Sequence, residues 1–471
     1  MIEYDLAVIG AGPGGYVAAI RGAQKGAKVC VIEAGEVGGT CLNRGCIPTK
    51  ALYSTARLLQ KIRGAGEHGI QFGEPSFDFA TAAQRKDEIV GKLVGGVGQL
   101  LKGAGVDVFT GRGIIEGPGR VQIRHQGVVG HLRAKNILLA TGSIPVTPKT
   151  LPVDGKNVLT SDEILAIKEL PKSLLIIGGG YIGCEFAGIF STFGVEVTIV
   201  EQLPVLLGRS DRQAVREVEK SFKAAGVKIH LDTAVEAIEA TAAGCRVQLS
   251  DGETVVAEKV LVSVGRRPNS AGLELEEAGV QLENGAVVVD ERMRTTADGV
   301  FAIGDVTGGI QLAHVASYQA EIAVENALGG DARADYRVVP SIIFTVPEIA
   351  QVGLTEEQCR TRGQEYVAGR FAYLASGKAL CDGEPRGTVK ILADKGDARI
   401  LGVTIVGEEA SSLVAEVALA MQQNLTAHEL AAVIHAHPSL PEIIKEAAED
   451  VSGSAVHKVS RSAARRKSSA R

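Results

Sequence analysis

The sequence stretch that decides the fold is Leu6-Ala-Val-Ile-Gly10-Ala-Gly12-Pro-Gly-Gly15, an apolar strand that runs directly into a glycine-rich turn. A helix-compatible stretch follows, and a second apolar run ends at Glu33. In such a unit the first glycine makes the turn, the second lets the backbone approach a pyrophosphate, the third packs the helix on the strand, and the acid accepts hydrogen bonds from ribose hydroxyls. Gly10, Gly12, Gly15 and Glu33 are therefore predicted to bind a dinucleotide.

The whole pattern occurs a second time, at Gly178-Gly-Gly180-Tyr-Ile-Gly183 after another apolar strand, and it ends at Glu201. In both copies 23 positions separate the first glycine from the acid. The chain is therefore expected to bind two dinucleotides in two separate folds. Because no arginine follows Glu201 until Arg209, a 2′-phosphate would meet repulsion there instead of a guanidinium. The second copy thus predicts NAD and not NADP.

Two cysteines, Cys41 and Cys46, follow the first copy in the segment Gly38-Gly-Thr-Cys-Leu-Asn-Arg-Gly-Cys-Ile-Pro-Thr-Lys50. On a regular helix, Cα atoms five positions apart lie about 8.7 Å from each other, whereas a disulfide needs about 4.4 to 6.8 Å. The backbone must therefore bend, and Gly45 and Pro48 are the residues expected to allow it. If helix resumes after the bend, Lys50 shares a face with Cys46 and favours its thiolate. This spacing favours a redox-active pair beside the first nucleotide.

Two other interpretations of the cysteine pair stay open at this point: half of a zinc site, or two inert structural thiols. A zinc site needs two further cysteine or histidine ligands at short spacing. The remaining cysteines occur singly along the chain, as Cys30, Cys184, Cys245, Cys359 and Cys381. No metal site is therefore predicted, and each single cysteine is more often a small buried residue than a reactive group.

Length and composition favour a multidomain globular enzyme. The 471 residues predict about three domains. The sequence does not open with a basic region, an apolar stretch and a cleavage site, and it has no apolar run of about 18 residues, so neither a signal peptide nor a membrane span is expected. Seven cysteines without a regular framework indicate a reducing compartment. The expected location is the cytoplasm.

The net charge of -5 conceals a basic C-terminal tail. Residues 451–471 contain six basic residues and no acid, whereas residues 1–450 carry 44 basic and 55 acidic residues, a net charge of -11. Because this tail is rich in Ser and Ala, we expect it to be disordered and to act as a solubilising segment or as a contact for an acidic partner. Nucleic acid binding is not expected, since a single basic run is weak evidence for it.

Three apolar runs end in residues that are predicted to reach the nucleotides. The run Ile137–Ser143 is expected to return to the first fold and the run Val260–Arg266 to the second. A third run, Val300–Asp305, ends in an acid that could bind a ribityl chain. The apolar parts of these runs are interpreted as core strands, so that only their last residues are candidates for function.

The C-terminal region differs in pattern from the two nucleotide folds. It predicts strands around 338–344, 366–373, 388–392 and 401–406 and helices at 411–422 and 426–433. The segment His435-Ala-His437-Pro-Ser-Leu-Pro-Glu442 follows. A proline that fixes the next backbone angle and an acid five residues on indicate an oriented imidazole at His437, although a structural histidine is an equally open interpretation.

Together these motifs resemble the pyridine nucleotide-disulfide oxidoreductases over essentially residues 1–450. The resemblance rests on the cysteine segment, the second glycine pattern through Glu185, and the stretches Thr296–Asp305, Leu312–His314, Phe344–Glu348 and His435–Pro438. It implies an α/β fold with two Rossmann-like dinucleotide-binding domains and a C-terminal α+β dimerisation domain. The expected domains are FAD-binding at 1–149, NAD-binding at 150–270, a central domain that completes the FAD site at 271–345, and an interface domain at 346–450, before the tail at 451–471.

The resemblance also implies roles for single residues and a homodimer. Cys41 and Cys46 would form the redox disulfide, and His437 would be a base oriented by Glu442. Lys50, paired with Glu185, would lie beside the reactive flavin nitrogen. Further FAD contacts are expected from Gly113, Thr141, Gly142, Ser143, Asp305, Gln311, Leu312, Ala313 and His314, and further NAD contacts from Val235 and Gly265.

By the same resemblance, the chain would oxidise protein-bound dihydrolipoamide to lipoamide and reduce NAD, as the dehydrogenase component of a 2-oxo acid dehydrogenase or glycine cleavage complex. His437 and Glu442 would serve the cysteines of the other subunit. One alternative is a glutathione-type disulfide reductase, which the missing arginines after Glu201 disfavour; another is a subunit that acts mainly in docking. Thr49 and Arg44 depart from the usual pattern of the family, and Arg44 leaves the redox tuning of the disulfide undetermined.

Overall fold

The computed structural model describes residues 2–71, 73, 75–241 and 244–459. The chain divides into two compact units. Unit 1 comprises residues 1–57, 76–178 and 235–334, and unit 2 comprises residues 58–75, 179–234 and 335–471. Each unit is built from segments that are distant in sequence, so that each depends on long-range pairing.

The strands are, in chain order, β1 (Glu3–Ile9), β2 (Val29–Glu33), β3 (Asp107–Thr110), β4 (Arg112–Gly117), β5 (Arg120–His125), β6 (Val128–Leu139), β7 (Ser143–Pro145), β8 (Val158–Leu159), β9 (Ser173–Ile177), β10 (Glu196–Val200), β11 (Lys228–His230), β12 (Val235–Thr241), β13 (Gly244–Leu249), β14 (Thr254–Ala257), β15 (Lys259–Val262), β16 (Arg266–Pro268), β17 (Leu282–Glu283), β18 (Ala286–Val287), β19 (Val300–Ala302), β20 (Ser341–Ile343), β21 (Glu348–Gly353), β22 (Tyr366–Ala372), β23 (Thr388–Asp394) and β24 (Ile400–Gly407).

The α-helices are α1 (Pro13–Gln24), α2 (Gly39–Arg44), α3 (Cys46–Gly64), α4 (Phe79–Gly103), α5 (Ser161–Ile164), α6 (Tyr181–Thr192), α7 (Arg212–Ala224), α8 (Ala313–Ala327), α9 (Glu356–Thr361), α10 (Gly377–Cys381), α11 (Ala410–Gln422), α12 (Ala427–Ala431) and α13 (Glu442–Asp450). Short 3₁₀ turns occur at Ala65–His68, Gly304–Thr307 and Tyr373–Ala375.

The main sheet of unit 1 has the strand order β3-β2-β1-β6-β5-β4, and β19 also pairs with β6. β1 pairs in parallel with β2 and with β6. Along β1, Leu6 and Val8 enter one hydrophobic core while Ala7 and Ile9 enter another, so that both faces of the strand are covered. An unbroken apolar run is typical of a parallel strand that is buried on both faces.

Four smaller groups of strands belong to unit 1, one of which is the antiparallel pair of β17 and β18. β9 and β8 both pair in parallel with β15. β12, β13 and β14 form an antiparallel meander. β7 and β16 form a short antiparallel pair, which joins the end of the first nucleotide fold to the segment after β15.

Unit 2 contains the parallel pair β10 and β11 with the helices α6 and α7. α7 is amphipathic, since it buries Ala214, Val215, Val218 and Phe222 at helical spacing. The remaining strands form an antiparallel sheet in the order β20-β21-β24-β23-β22. Residues of α11 and α13 share one hydrophobic core with this sheet.

Two details of unit 2 differ from the sequence-based expectations. β21 was not predicted, because Ile349 and Ala350 are both buried and the run lacks the alternation typical of a half-buried strand.

The predicted disordered tail starts too early. Within it, Lys458 Nζ donates hydrogen bonds to the carbonyl oxygen of Arg370 at 2.7 Å and to Asp450 Oδ2 at 2.5 Å. Residues 460–471 of the predicted tail lie outside the described residues.

Across the described part of the chain, no helix combines the length and the apolar character that crossing a membrane requires.

Candidate active site

The first glycine turn follows β1 and leads into α1. Gly10 has φ +101°, and a Cβ atom at this position would collide with the carbonyl oxygen of Ala140. A Cβ atom at Gly15 would overlap the carbonyl oxygen of Gly10. Only glycine fits these places. The turn brings the N-terminal end of α1, with Gly12 as its N-cap, to the C-terminal end of β1, where the helix dipole favours a phosphate.

The carboxylate of Glu33 is held at this turn by two backbone amides. The N–H group of Ala11 donates to Oε2 at 2.6 Å, and the N–H group of Gly35 donates to Oε1 at 2.7 Å. The acid is thus fixed at the carboxyl edge of β2, next to the glycine turn. Glycines without room for a side chain and an acid at this edge fit the adenosine diphosphate half of FAD.

Several residues predicted to contact FAD are joined by hydrogen bonds in unit 1. Ser143 Oγ donates to Asp305 Oδ2 at 2.5 Å, and Thr141 Oγ1 donates to the carbonyl oxygen of Asn269 at 2.8 Å. Gly142 between them has φ +69°. Gly113 packs against Ile9, whose Cγ2 would lie 3.0 Å from a Cβ atom at Gly113.

The segment Gln311–His314 forms the start of α8. Leu312 is the N-cap and Ala313 the first residue of this helix. Helix N-termini favour anionic groups, so this end of α8 is suited to an anionic part of a cofactor. Its role as an FAD contact stays a prediction.

The two cysteines lie on either side of a break between two helices. α2 ends at Arg44, the C-cap Gly45 has φ -143° and ψ -108°, and α3 begins at Cys46. Both residues are free cysteines in the structure. The pKa of the Cys41 thiol is raised, first because it hydrogen-bonds to Cys46 and then because it is buried, and the Lys50 ammonium opposes this shift. The two sulfurs are therefore direct neighbours with a cation close by.

The second glycine turn repeats the first. Gly178 has φ +105°, and a Cβ atom there would lie 2.5 Å from the carbonyl oxygen of Ser263 in unit 1. In unit 2, Gly180 is the N-cap of α6. The N–H group of Gly179 donates to Glu201 Oε2 at 2.6 Å, and the N–H group of Leu203 donates to Oε1 at 2.8 Å. These residues fit a second dinucleotide on the same grounds as the first set.

Of the other residues predicted for NAD, one lies in a helix and two lie at the starts of strands. Gly183 is buried within α6. Val235 is the first residue of β12. Gly265 has φ +126° and directly precedes β16. Their contacts with NAD stay predictions.

His437 and Glu442 form a hydrogen-bonded pair in unit 2. His437 Nδ1 lies 2.9 Å from Glu442 Oε1, and the N–H group of Ser439 donates to Glu442 Oε2 at 2.8 Å. The Ser439 amide lowers the pKa of Glu442 most and the His437 contact lowers it further, while burial opposes both. The His437–Pro438 peptide is cis. With 80% of its side chain exposed, His437 presents its other ring nitrogen to the surroundings.

His435 and Glu185 have surroundings that differ from those of His437. His435 Nε2 lies 2.7 Å from Glu416 Oε1, and its side chain is only 5% exposed, as expected for a structural histidine. Glu185 is buried, and its Oε1 accepts a hydrogen bond from the N–H group of Phe344 at 2.9 Å. Its predicted pairing with Lys50 stays a prediction.

Two further residues hold the site: Arg266, the last residue of the predicted run Val260–Arg266, and Asn269, which sequence reasoning missed. Arg266 donates to Ser143 through two guanidinium nitrogens. Asn269 donates from Nδ2 to the carbonyl oxygen of Thr141 at 3.2 Å. Asn269 has no sequence signal beyond its position shortly after Gly265 and Arg266.

Comparisons with known proteins agree with this arrangement. Residues 4–320 match the model of the pyridine nucleotide-disulphide oxidoreductase family, and residues 339–448 match its dimerisation domain. A dihydrolipoyl dehydrogenase of Bacillus subtilis is 42% identical over 470 residues, which are 97% of this chain and 99% of that protein. A dihydrolipoyl dehydrogenase of Thermus scotoductus is 42% identical over 468 residues, with 98% and 100% covered.

Two solved structures have the same fold. LpdA from Mycobacterium tuberculosis matches with a TM-score of 0.90 and 30% identity, and 96% of this chain and 100% of that chain are covered. The HOCl-induced flavoprotein disulfide reductase RclA from Escherichia coli, in its Cu(II) complex, matches with a TM-score of 0.87 and 32% identity, with 95% and 99% covered.

Fold and site thus define an oxidoreductase with two dinucleotide cofactors, FAD and NAD(H). The chain belongs to the pyridine nucleotide-disulfide oxidoreductase family. Since it carries the dimerisation domain of that family, it forms a homodimer. The predicted fold class, with two Rossmann-like domains and a dimerisation domain, is confirmed.

Proposed function

We propose that the protein oxidises protein-bound dihydrolipoamide to lipoamide and transfers the electron pair to NAD⁺. The observation that carries the proposal is the contact between the Cys41 and Cys46 thiols beside the first glycine turn. A dithiol substrate needs an acceptor that takes two electrons through sulfur, and a disulfide between these residues is such an acceptor. The relatives named dihydrolipoyl dehydrogenase support this choice of substrate.

The proposed sulfur chemistry starts with His437 of one subunit and the Cys41–Cys46 disulfide of the other. His437 takes a proton from one substrate thiol, and Glu442 holds the imidazole through Nδ1. The substrate thiolate attacks Cys41 Sγ, the disulfide bond breaks, and Cys46 leaves as a thiolate.

In the second step the mixed disulfide between substrate and Cys41 is resolved. The other substrate thiol attacks the substrate sulfur of this bond, lipoamide closes as a disulfide, and Cys41 leaves and takes up a proton. The substrate loses two electrons and the cysteine pair gains them. The chemistry that FAD and NAD supply when bound is acceptance of this electron pair.

The choice of NAD over NADP follows from the second turn. Both oxygens of Glu201 accept backbone N–H groups at the carboxyl edge of β10, and this fixed carboxylate supports a ribose with free hydroxyls as its proposed partner. A 2′-phosphate at this place would meet negative charge. We include a cytoplasmic location and partnership with the lipoyl domains of a 2-oxo acid dehydrogenase or glycine cleavage complex in the proposal.

The test is the initial rate at which the purified holoenzyme reduces NAD⁺ or NADP⁺ with dihydrolipoamide, with reduced glutathione as the alternative thiol. We expect rapid NADH formation from dihydrolipoamide and at least about a hundredfold lower kcat/KM with NADP⁺, a difference of about 2.7 kcal/mol. Turnover with glutathione and none with dihydrolipoamide would favour a glutathione-type reductase. An inactive holoenzyme that still binds lipoyl domains would favour a docking subunit.

A further inference from the structure

The short β7–β16 pair connects residues predicted for FAD with residues that follow the predicted NAD contact Gly265. In this pair Ser143 lies opposite Pro268, and Arg266 lies opposite Pro145. The N–H group of Asn269 donates to the carbonyl oxygen of Gly142 at 2.9 Å. The turn Thr141–Ser143 is therefore held from one side by the segment 265–269.

Arg266 makes the most specific contacts of this segment. Its Nε donates to Ser143 Oγ at 2.8 Å, and its Nη2 donates to the Ser143 carbonyl oxygen at 2.7 Å. The same Ser143 Oγ donates to Asp305 Oδ2 at 2.5 Å. Because the serine oxygen accepts from Arg266, its single proton is directed to Asp305. Ser143 is 5% exposed, so water does not compete effectively for these bonds.

The charges around Arg266 are consistent with a fixed position. The guanidinium counters the effect of burial on Asp162, whose pKa burial raises. Ser143, which accepts from Arg266, donates a hydrogen bond to Asp305, so that Arg266 is linked to this second carboxylate through the serine. A single cation thus serves two carboxylates, and its planar shape allows it to bind both oxygen atoms of one serine.

We propose that Arg266 is a positioning residue of the flavin site. Through Ser143 it fixes the Asp305 carboxylate in the orientation needed for the ribityl hydroxyls of FAD, and its chain neighbour is Gly265, a predicted NAD contact. The inference rests on the proposed function only in that it takes the first turn as the FAD site and the second turn as the NAD site. The bonds themselves lie within unit 1.

The chain offers a matched control. Arg267 has the same charge and lies on the same strand, but its side chain is exposed. The measurement is the rate at which the diluted holoenzyme releases FAD, followed by the rise in flavin fluorescence. R266M should release FAD about 10 to 100 times faster than the wild type, the range for loss of a charged hydrogen bond. R267M should release it at the wild-type rate.

A double-mutant cycle separates positioning from general weakening of the fold. S143A should accelerate FAD release, and adding R266M to S143A should change the rate clearly less than R266M does in the wild type, because the link from Arg266 Nε through Ser143 Oγ to Asp305 is then already lost and only the bond to the backbone carbonyl oxygen remains. R266K should restore part of the retention, since lysine keeps the charge but not the planar pair of donors. Additive effects of R266M and S143A would overturn the proposal, as would equal release rates for R266M and R267M.

The inference and the proposed function can fail separately. FAD release needs neither dithiol nor NAD. A wild-type enzyme that ignores dihydrolipoamide but shows the non-additive cycle would contradict only the substrate. If R266M does not fold, R266K and S143A still provide the comparison, and a wild-type release rate for both would refute the role of this bond chain.

Discussion

The two glycine turns of the chain fold alike, but the segments that follow them carry different residues. After the first turn, the N–H group of Gly38 donates to the carbonyl oxygen of Ala11 at 2.8 Å. After the second, the N–H group of Leu207 donates to the carbonyl oxygen of Gly179 at 2.9 Å. In both copies the chain returns to the residue that follows the first glycine.

The two copies differ in the residues of the returning segment that pack against the turn. In the first copy Gly39 packs on Gly12, so closely that a Cβ atom would lie 2.5 Å from the Gly12 Cα atom, and Cys41 and Cys46 follow. In the second copy the buried Leu206 packs on Gly179. The comparison teaches that the shared unit binds a nucleotide, whereas the chemistry depends on what is attached after the acid.

The largest expected effect comes from the cysteines of the first copy. C41S and C46S should each lower kcat for dihydrolipoamide oxidation by about 10³-fold or more, because no disulfide can form. NADH oxidation by an artificial one-electron acceptor should stay within about threefold, since it depends on the two nucleotide sites alone. C381S, a change at an exposed cysteine, is the control. If dihydrolipoamide oxidation and NADH oxidation fell equally, the chemistry of the cysteines would not be separable from the two nucleotide sites.

The second effect concerns His437, the proposed base for the dithiol substrate. H437Q should lower kcat for dithiol oxidation by about 10² to 10⁴-fold, the usual range for loss of a general base. E442Q should cost less, because the imidazole stays but loses a charged partner. E446Q changes another acid of α13, which pairs with His457, and should keep wild-type turnover. Steady-state rates with dihydrolipoamide check all three; wild-type turnover by H437Q would exclude it as the base.

Intermediate effects are expected when the acids of the two turns are exchanged for amides. In each copy both carboxylate oxygens accept backbone N–H groups. A glutamine would place an NH₂ group against one of these donors. E33Q should release FAD about tenfold faster with an unchanged KM for NAD⁺, and E201Q should raise that KM about tenfold and retain FAD. If E33Q instead raised the KM for NAD⁺ and E201Q released FAD faster, the two cofactors would have to be assigned to the opposite turns.

The smallest effect lies outside both turns. Glu446 raises the pKa of His457, whose Nδ1 lies 2.5 Å from Glu446 Oε1. A raised folded-state pKa means that the stabilisation is fully present below the ordinary histidine pKa and disappears as the pH rises through the raised value. Wild type should therefore have a slightly higher Tm than H457Q at about pH 5.5, and the two should agree at about pH 9. A difference in Tm between wild type and H457Q that increases with pH would contradict this pairing.

The features that could be predicted best from the sequence are formed by residues that lie close together along the chain. Each glycine turn could be predicted because the strand, the glycines, the helix and the acid follow one another within a short stretch, so that the pattern itself encodes the contacts. The bend between the cysteines could be expected from helix geometry, and the structure has the break at Gly45.

What the sequence could not provide depends on distant segments. The bonds of Arg266 to Ser143 join residues 123 positions apart, and no local period marks them. β21 lacks an alternating pattern because it is covered on both faces. Composition suggested a disordered tail from residue 451, but Lys458 binds Asp450 and Arg370 through contacts that composition does not encode.

The most direct test of the central claim is the redox state of the cysteines in the holoenzyme. Thiols are alkylated with one reagent before reduction and with an isotopically labelled one after it, and the peptides are identified by mass spectrometry. We predict a Cys41–Cys46 disulfide in the oxidised enzyme, which one equivalent of dihydrolipoamide converts to two thiols, while the five other cysteines stay free throughout. Free Cys41 and Cys46 in the oxidised enzyme, or a disulfide that dihydrolipoamide does not open, would contradict the account.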